Sequence, residues 1–168
     1  MSIQGLLPLL SLSPQYRSLV ELLGQRKARG HLVLLDSALP YCAAALRKNL
    51  GIPVLVLTAR PERARRLYED LLVWCGEDSA VHQFPEGETL PFERLMADEA
   101  TTHTRIATLE AMLDAKDGQR RPPLVVASLA AVAQRTLARE RFEEARHHVS
   151  VGQRVNVGAL IQMWHRMG

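Results

Sequence analysis

Four short, nearly unbroken apolar runs alternate with helical patterns, and this alternation constrains the fold more than any other feature of the chain. The runs are His31-Leu32-Val33-Leu34-Leu35, Pro53-Val54-Leu55-Val56-Leu57-Thr58, the shorter Ala80-Val81-His82-Gln83-Phe84, and Leu124-Val125-Val126-Ala127-Ser128. A strand with one wet face alternates apolar and polar residues, whereas a strand covered on both faces has no need to. Between the runs lie helix-period patterns. Tyr16, Leu19, Val20 and Leu23 recur at i, i+3, i+4 and i+7 in a helix expected over 14–27, with Pro14 in its first turn. Ser37 is the expected cap of a second helix, with Pro40 in its first turn and an end near Leu50. Pro61 opens a third, with Ala64, Leu67, Leu71 and Leu72 on one face and an end near Gly76. A fourth over 101–116 turns Ile106, Leu109 and Leu113 to the core, and a short one starts at Leu129. The order predicts an α/β fold: an open parallel sheet with helices on both faces. Ligands of such sheets bind beyond the carboxyl ends of the strands. Here those ends carry Asp36 and Ser37, Thr58 and Ala59, Phe84 and Pro85, and Ser128.

From Arg135 the character changes, which divides the chain into 1–134 and a second part, 135–168, that reads as the start of a small α+β subdomain. Residues 139–148 are highly charged, His147 to Val151 read as an exposed strand closed by Gly152, and Asn156 caps a last helix with Leu160, Ile161 and Trp164 inward. The length of 168 residues suits one domain with a full core, or one domain and the beginning of another. A net charge of +3 leaves nucleic-acid binding open, although a strongly basic binder would show more. Cys42 and Cys75 have neither close pairing nor metal-type spacing, which fits a reduced, cytoplasmic setting. The apolar start has no basic residue ahead of it and no small-residue cleavage pattern, and no apolar stretch is long enough to span a membrane.

Several residues invite a chemical reading. The first strand-to-helix turn is where a phosphate-binding loop would lie, and its chemistry needs G-x-x-x-x-G-K-[ST]. The turn instead reads Leu35-Asp36-Ser37-Ala38-Leu39-Pro40, without glycine or lysine, and Asp36 sets a negative charge where phosphate would sit. Asp36, Ser37 and Ala38 thus mark a degenerate phosphate-loop position. Glu86, Glu88 and Glu93, with His82 and His103 nearby, read as solvated loop carboxylates rather than a metal or acid–base cluster. His147 and His148, adjacent in a strand, would point to opposite faces and share no metal. No catalytic residue and no metal site emerge. Arg60, Arg63, Arg65 and Arg66 form a dense basic cluster, partly offset by Glu62, Glu69 and Asp70 at helical spacing. Arg135, Arg139, Arg141 and Arg146, interleaved with Glu140, Glu143 and Glu144, suit a protein-facing surface.

The loop Phe84-Pro85-Glu86-Gly87-Glu88-Thr89-Leu90-Pro91-Phe92-Glu93 carries a resemblance. Two prolines and a glycine make it rigid, and an aromatic at each end gives it something to bury. Together with Ala133-Gln134-Arg135, Leu6-Leu7-Pro8-Leu9-Leu10, Asp36-Ser37-Ala38, Glu69-Asp70-Leu71 and Val151-Gly152-Gln153-Arg154, it resembles the N-terminal, UvrB-like region of the bacterial transcription-repair coupling factors (Mfd). The turn at Asp36 departs from that pattern, lacking even the glycine the family often keeps before the Ser-Ala pair. The resemblance implies a helicase-like fold with a decayed phosphate loop, no cofactor, and a non-catalytic adaptor role that helps recruit UvrA of excision repair to RNA polymerase stalled at damaged DNA. ATP is used only by motor domains further along the family's polypeptide, and polymerase and DNA are reached through those other parts. Arg135, Arg154 and Arg166 become the candidate protein contacts. The family's main arginine contact to UvrA is expected beyond Gly168, so weak or absent UvrA binding by this chain alone is expected. The alternative is an ATP-binding helicase fragment related to UvrB.

Overall fold

The computed structural model describes residues 3–25, 28–76, 80–87, 98–116, 121–147 and 149–167. Its contacts divide the chain into two compact units, Met1–Gln134 and Arg135–Gly168.

The first unit is an open α/β sheet. A 3-10 helix, Gln4–Leu12, buries Leu7 and leads into α1, Pro14–Gly24, whose first turn holds Pro14 while Ser13 Oγ accepts from Tyr16 N–H at 3.4 Å. Next come α2 (Leu39–Leu50), β1 (Val54–Thr58), α3 (Pro61–Cys75), β2 (Val81–Phe84), α4 (Glu99–Lys116), β3 (Leu124–Ser128) and α5 (Leu129–Ala133). The strands are parallel in the order β1-β3-β2, with Val54 opposite Leu124 and Val81 opposite Leu124. Central β3 is buried along its whole length, as its apolar sequence requires. On one face, Leu124 and Val126 pack against Ala43, Ala44 and Ala45 of α2 and Ala64, Leu67 and Leu71 of α3. Val125, Ala127 and Phe84 lie on the other, with Ala131 of α5 and Leu109 of α4. Gly51 ends α2 at φ 62°, a left-handed position that favours glycine, and its N–H closes on Arg47 O at 3.0 Å.

Several expectations need correction. The 31–35 run is not a strand. It joins no sheet: among the described residues no strand lies alongside to take its backbone bonds, and its side chains are only partly covered, with Val33 84% and Leu35 78% exposed against Leu32 40% and Leu34 38%. Ser37 does not cap α2: Asp36–Ala38 form a 3-10 turn, and Ala38 is the N-cap with no side-chain bond. Two helix faces also differ from the apolar spacing. Leu72 is partly exposed and Cys75 continues the buried stripe of α3. Ile106 is exposed, while Thr108, Ala111 and Asp114 form the buried side of α4. The Thr108 hydroxyl explains this, lying 2.9 Å from Gln83 O and 2.8 Å from Thr104 O, so a polar residue meets the sheet with its hydrogen bond made.

The second unit holds α6 (Arg139–Ala145) and α7 (Val157–Met167). No strand forms at 147 or 149–151, where the chain is coil and turn. Among the described residues of this unit none is buried, and Trp164 is 50% exposed, with His147 edge-on at 6.5 Å, rather than a core anchor.

Candidate functional site

Two features gather at the carboxyl ends of the strands of the first unit. The first is a crevice of about 820 Å3 between the 3-10 turn at Asp36 and Ser37 and the end of β1, with Arg60, Arg63 and Arg66 along its other wall. Asp36 stands at its mouth and receives the Arg63 guanidinium at 2.7 Å. Both side chains are well exposed, so the pair contributes at most about 1 kcal/mol. Its larger consequence is electrostatic. Asp36, Glu62 and Asp70 line the same crevice as the arginines, so the basic cluster seen in the sequence is matched there by acids. Thr58 sets the floor, donating from its hydroxyl to Arg60 O at 2.9 Å as the chain turns into α3.

The second feature is a clamp on residues 84–87, the described beginning of the proline-rich loop; Glu88 and Glu93 lie outside the described residues. The loop base is tied at each residue. Phe84 is buried, and the Arg105 guanidinium sits 4.0 Å over its ring. Arg105 also donates to Pro85 O at 2.5 Å, and its burial lowers the guanidinium pKa from the usual arginine value. The Ser128 hydroxyl donates to Glu86 Oε1 at 2.5 Å and accepts from Ala131 N–H at 3.0 Å, so one side chain both caps α5 and holds the loop. Gln134 reads the Gly87 peptide on both sides: it accepts from Gly87 N–H at 2.7 Å and donates to Gly87 O at 3.2 Å. A Cβ on Gly87 would stand 3.3 Å from Gln134 Oε1. The spacing between the loop and Gln134 therefore has a physical basis, because the residues meet. Sequence reasoning singled out Phe84, Glu86, Gly87, Ser128 and Gln134 but missed Arg105, whose only signal was a cation on the loop-facing turn of a helix.

The remaining candidates do not converge. Arg135, Arg154 and Arg166 are exposed in the second unit, and no hydrogen bond or ion pair joins them to one another among the described residues. Arg139 pairs with Glu143 at 2.6 Å. Cys42 and Cys75 are buried and form no disulfide, and burial raises the Cys42 thiol pKa. Among the described residues, no group of His, Cys, Asp or Glu has the geometry to hold a metal, and no helix is long and apolar enough to cross a membrane.

No family model matches the chain. Two curated proteins do: the transcription-repair-coupling factors of Mycobacterium tuberculosis (strain CDC 1551 / Oshkosh) and Mycobacterium bovis (strain ATCC BAA-935 / AF2122/97). Each is 36% identical over 124 residues. The aligned stretch covers 74% of this chain and 10% of each relative, so the chain spans about a tenth of the length of the curated relatives it matches. By this similarity the chain is a distant relative of the transcription-repair-coupling factors.

Proposed function

We propose that this chain is a non-catalytic adaptor region that serves DNA repair by helping to recruit UvrA to RNA polymerase stalled at a lesion. The observation that carries the reading is its 36% identity to two transcription-repair-coupling factors. The crevice supports the non-catalytic part. A nucleotide phosphate needs backbone amides freed by glycine and a lysine for charge. The turn at Asp36, Ser37 and Ala38 offers a carboxylate already bound to Arg63. No cofactor enters this reading. The second unit is the proposed partner-facing surface, with Arg135, Arg154 and Arg166 exposed for contact and Val157, Ile161 and Trp164 of α7 exposed as well. Polymerase and DNA would be reached through other parts of a longer protein, in the cytoplasm.

Two measurements test the reading. We expect ATP with magnesium to leave the melting temperature unchanged, since a ligand that binds only the native state must raise it; a rise would favour an ATP-binding helicase fragment. UvrA is then titrated calorimetrically with this chain and with a chimera in which the chain replaces the matched stretch of the M. tuberculosis factor. We expect weak or no heat from the chain alone and clear binding by the chimera, reduced about ten-fold or more by R154E with R166E. A folded chimera that ignores UvrA would overturn the adaptor role.

A further inference from the structure

The amino ends of β1 and β3 border a second cavity, at the opposite end of the sheet from the crevice at Asp36. It measures about 360 Å3 and opens where α2 and α3 end, beside the residues that lead into β3. Leu7 of the 3-10 helix and Ala44 of α2 form an apolar wall, and Arg47, Lys48 and Arg121 form a basic one. The two hollows differ in charge. In the crevice, Asp36, Glu62 and Asp70 stand among the arginines. The cavity is lined by three cations and, among the described residues, by no carboxylate.

Helix ends account for part of this charge. The carboxyl end of a helix carries roughly half a negative charge, and α2 and α3 both end at the cavity, at Gly51 and Cys75. Arg47 and Lys48, in the last turn of α2, suit that end. Together the two helix ends offset about one of the three positive charges. Arg121 belongs to no helix. Arg47 is 9% exposed, and its Nε donates to Pro122 O at 2.7 Å, which fixes the guanidinium at the cavity wall. A guanidinium already held in place loses little freedom when an anion arrives, and its planar fork matches two oxygens of a phosphate. Lys48 and Arg121 are exposed, and their long stems let the charged heads follow an anion inward.

We propose that this cavity binds the dianionic phosphate group of a small phosphomonoester, with Arg47, Lys48 and Arg121 on the phosphate oxygens and the organic body of the ester against Leu7 and Ala44. The surplus of about two positive charges matches a dianion. The volume lies near the lower end for small-molecule sites, which suits a ligand of that size. The site stands at the other end of β1 from the degenerate phosphate-loop position and does not depend on the adaptor reading. Magnesium-bound ATP brings its own counter-charge and a bulky nucleoside, so the unchanged melting temperature expected with it stands.

Phenyl phosphate, inorganic phosphate and acetate are titrated into the isotope-labelled chain and followed by amide NMR shifts, in about 0.15 M salt so that loose surface attraction is screened. The Lys48 and Gly51 amides report the cavity, and those of Thr58 and Ser128 report the far ends of the strands. The expected result is saturable shifts at the cavity alone, half complete at or below about 1 mM phenyl phosphate. Inorganic phosphate should bind about three-fold or more weaker, and acetate about ten-fold or more weaker. Lys48→Glu and Arg121→Glu should each weaken phenyl phosphate about ten-fold or more, and Arg121→Lys by less. Shifts still linear past about 20 mM overturn the proposal, as do equal shifts at Thr58 and Ser128. Charge-reversal variants that bind as well as the natural chain overturn it too. Equal affinity for phenyl phosphate and inorganic phosphate overturns the ester as ligand. Should a charge-reversal variant lose the native spectrum, Lys48→Gln and Arg121→Gln replace it, with the same outcomes deciding.

Discussion

At the scale of single residues, Arg105 and Gln134 do the most to shape the loop base. Arg105 meets a ring face and a carbonyl at once, which a planar guanidinium can do and a point-like ammonium does less well. We expect Arg105→Ala to destabilise the first unit by about 1–3 kcal/mol in urea denaturation, with Arg105→Lys recovering only part. Gln134→Ala removes both partners of the Gly87 peptide and is expected to cost about 1–3 kcal/mol by the same assay. Tyr16 gives a pH signature. It is 5% exposed, and burial pushes its phenol up to about 12, against a smaller opposing effect from the Asn49 amide at 3.1 Å. A raised acid pKa in the folded state means the unfolded chain ionises first. The contribution is therefore whole below about pH 10 and lost as pH rises towards 12. Denaturation midpoints at pH 9 and pH 11.5 should fall apart for the natural chain and less so for Tyr16→Phe.

At the scale of elements, α3 carries the clearest dependence of fold on sequence. Ala64, Leu67, Leu71 and Cys75 bury one stripe, and Leu71 at 0% exposure meets the fully buried β3. Leu71→Ala should destabilise by about 2–5 kcal/mol, read from thermal or urea unfolding. This helix and strands β1, β2 and β3 were legible because periodicity reports burial directly. The 31–35 run was misread for the same reason. An apolar run says that a segment wants cover on both faces, not that the cover is present. Trp164 and Ile161 failed similarly, since their spacing describes a helix face without saying what meets it. The polar side of α4 was hidden because Thr108 satisfies itself on backbone carbonyls, which no hydrophobic pattern records. At the site, the loop residues stood out by composition, while the Arg63 bond to Asp36 joins elements 27 residues apart and has no local signal.

At the scale of the molecule, the two units differ in kind. The first has a two-sided core, and the second has no buried residue among those described. Limited proteolysis should cut first within 135–167 and leave a resistant product ending near Gln134, because cleavage follows local opening. Early cuts inside β3 or α3 would contradict that. Gln134 is also where the two units are covalently joined, and it grips Gly87, three residues after the buried Phe84. A pull on the second unit therefore reaches the first as tension on this side-chain hook before it reaches the sheet. The load passes to the carboxyl ends of β2 and β3, where Arg105 and Ser128 brace the loop. The hook is expected to act as a mechanical fuse: in a single-molecule stretching experiment Gln134→Ala should move the first yield to lower force while leaving the final rupture of the sheet in place.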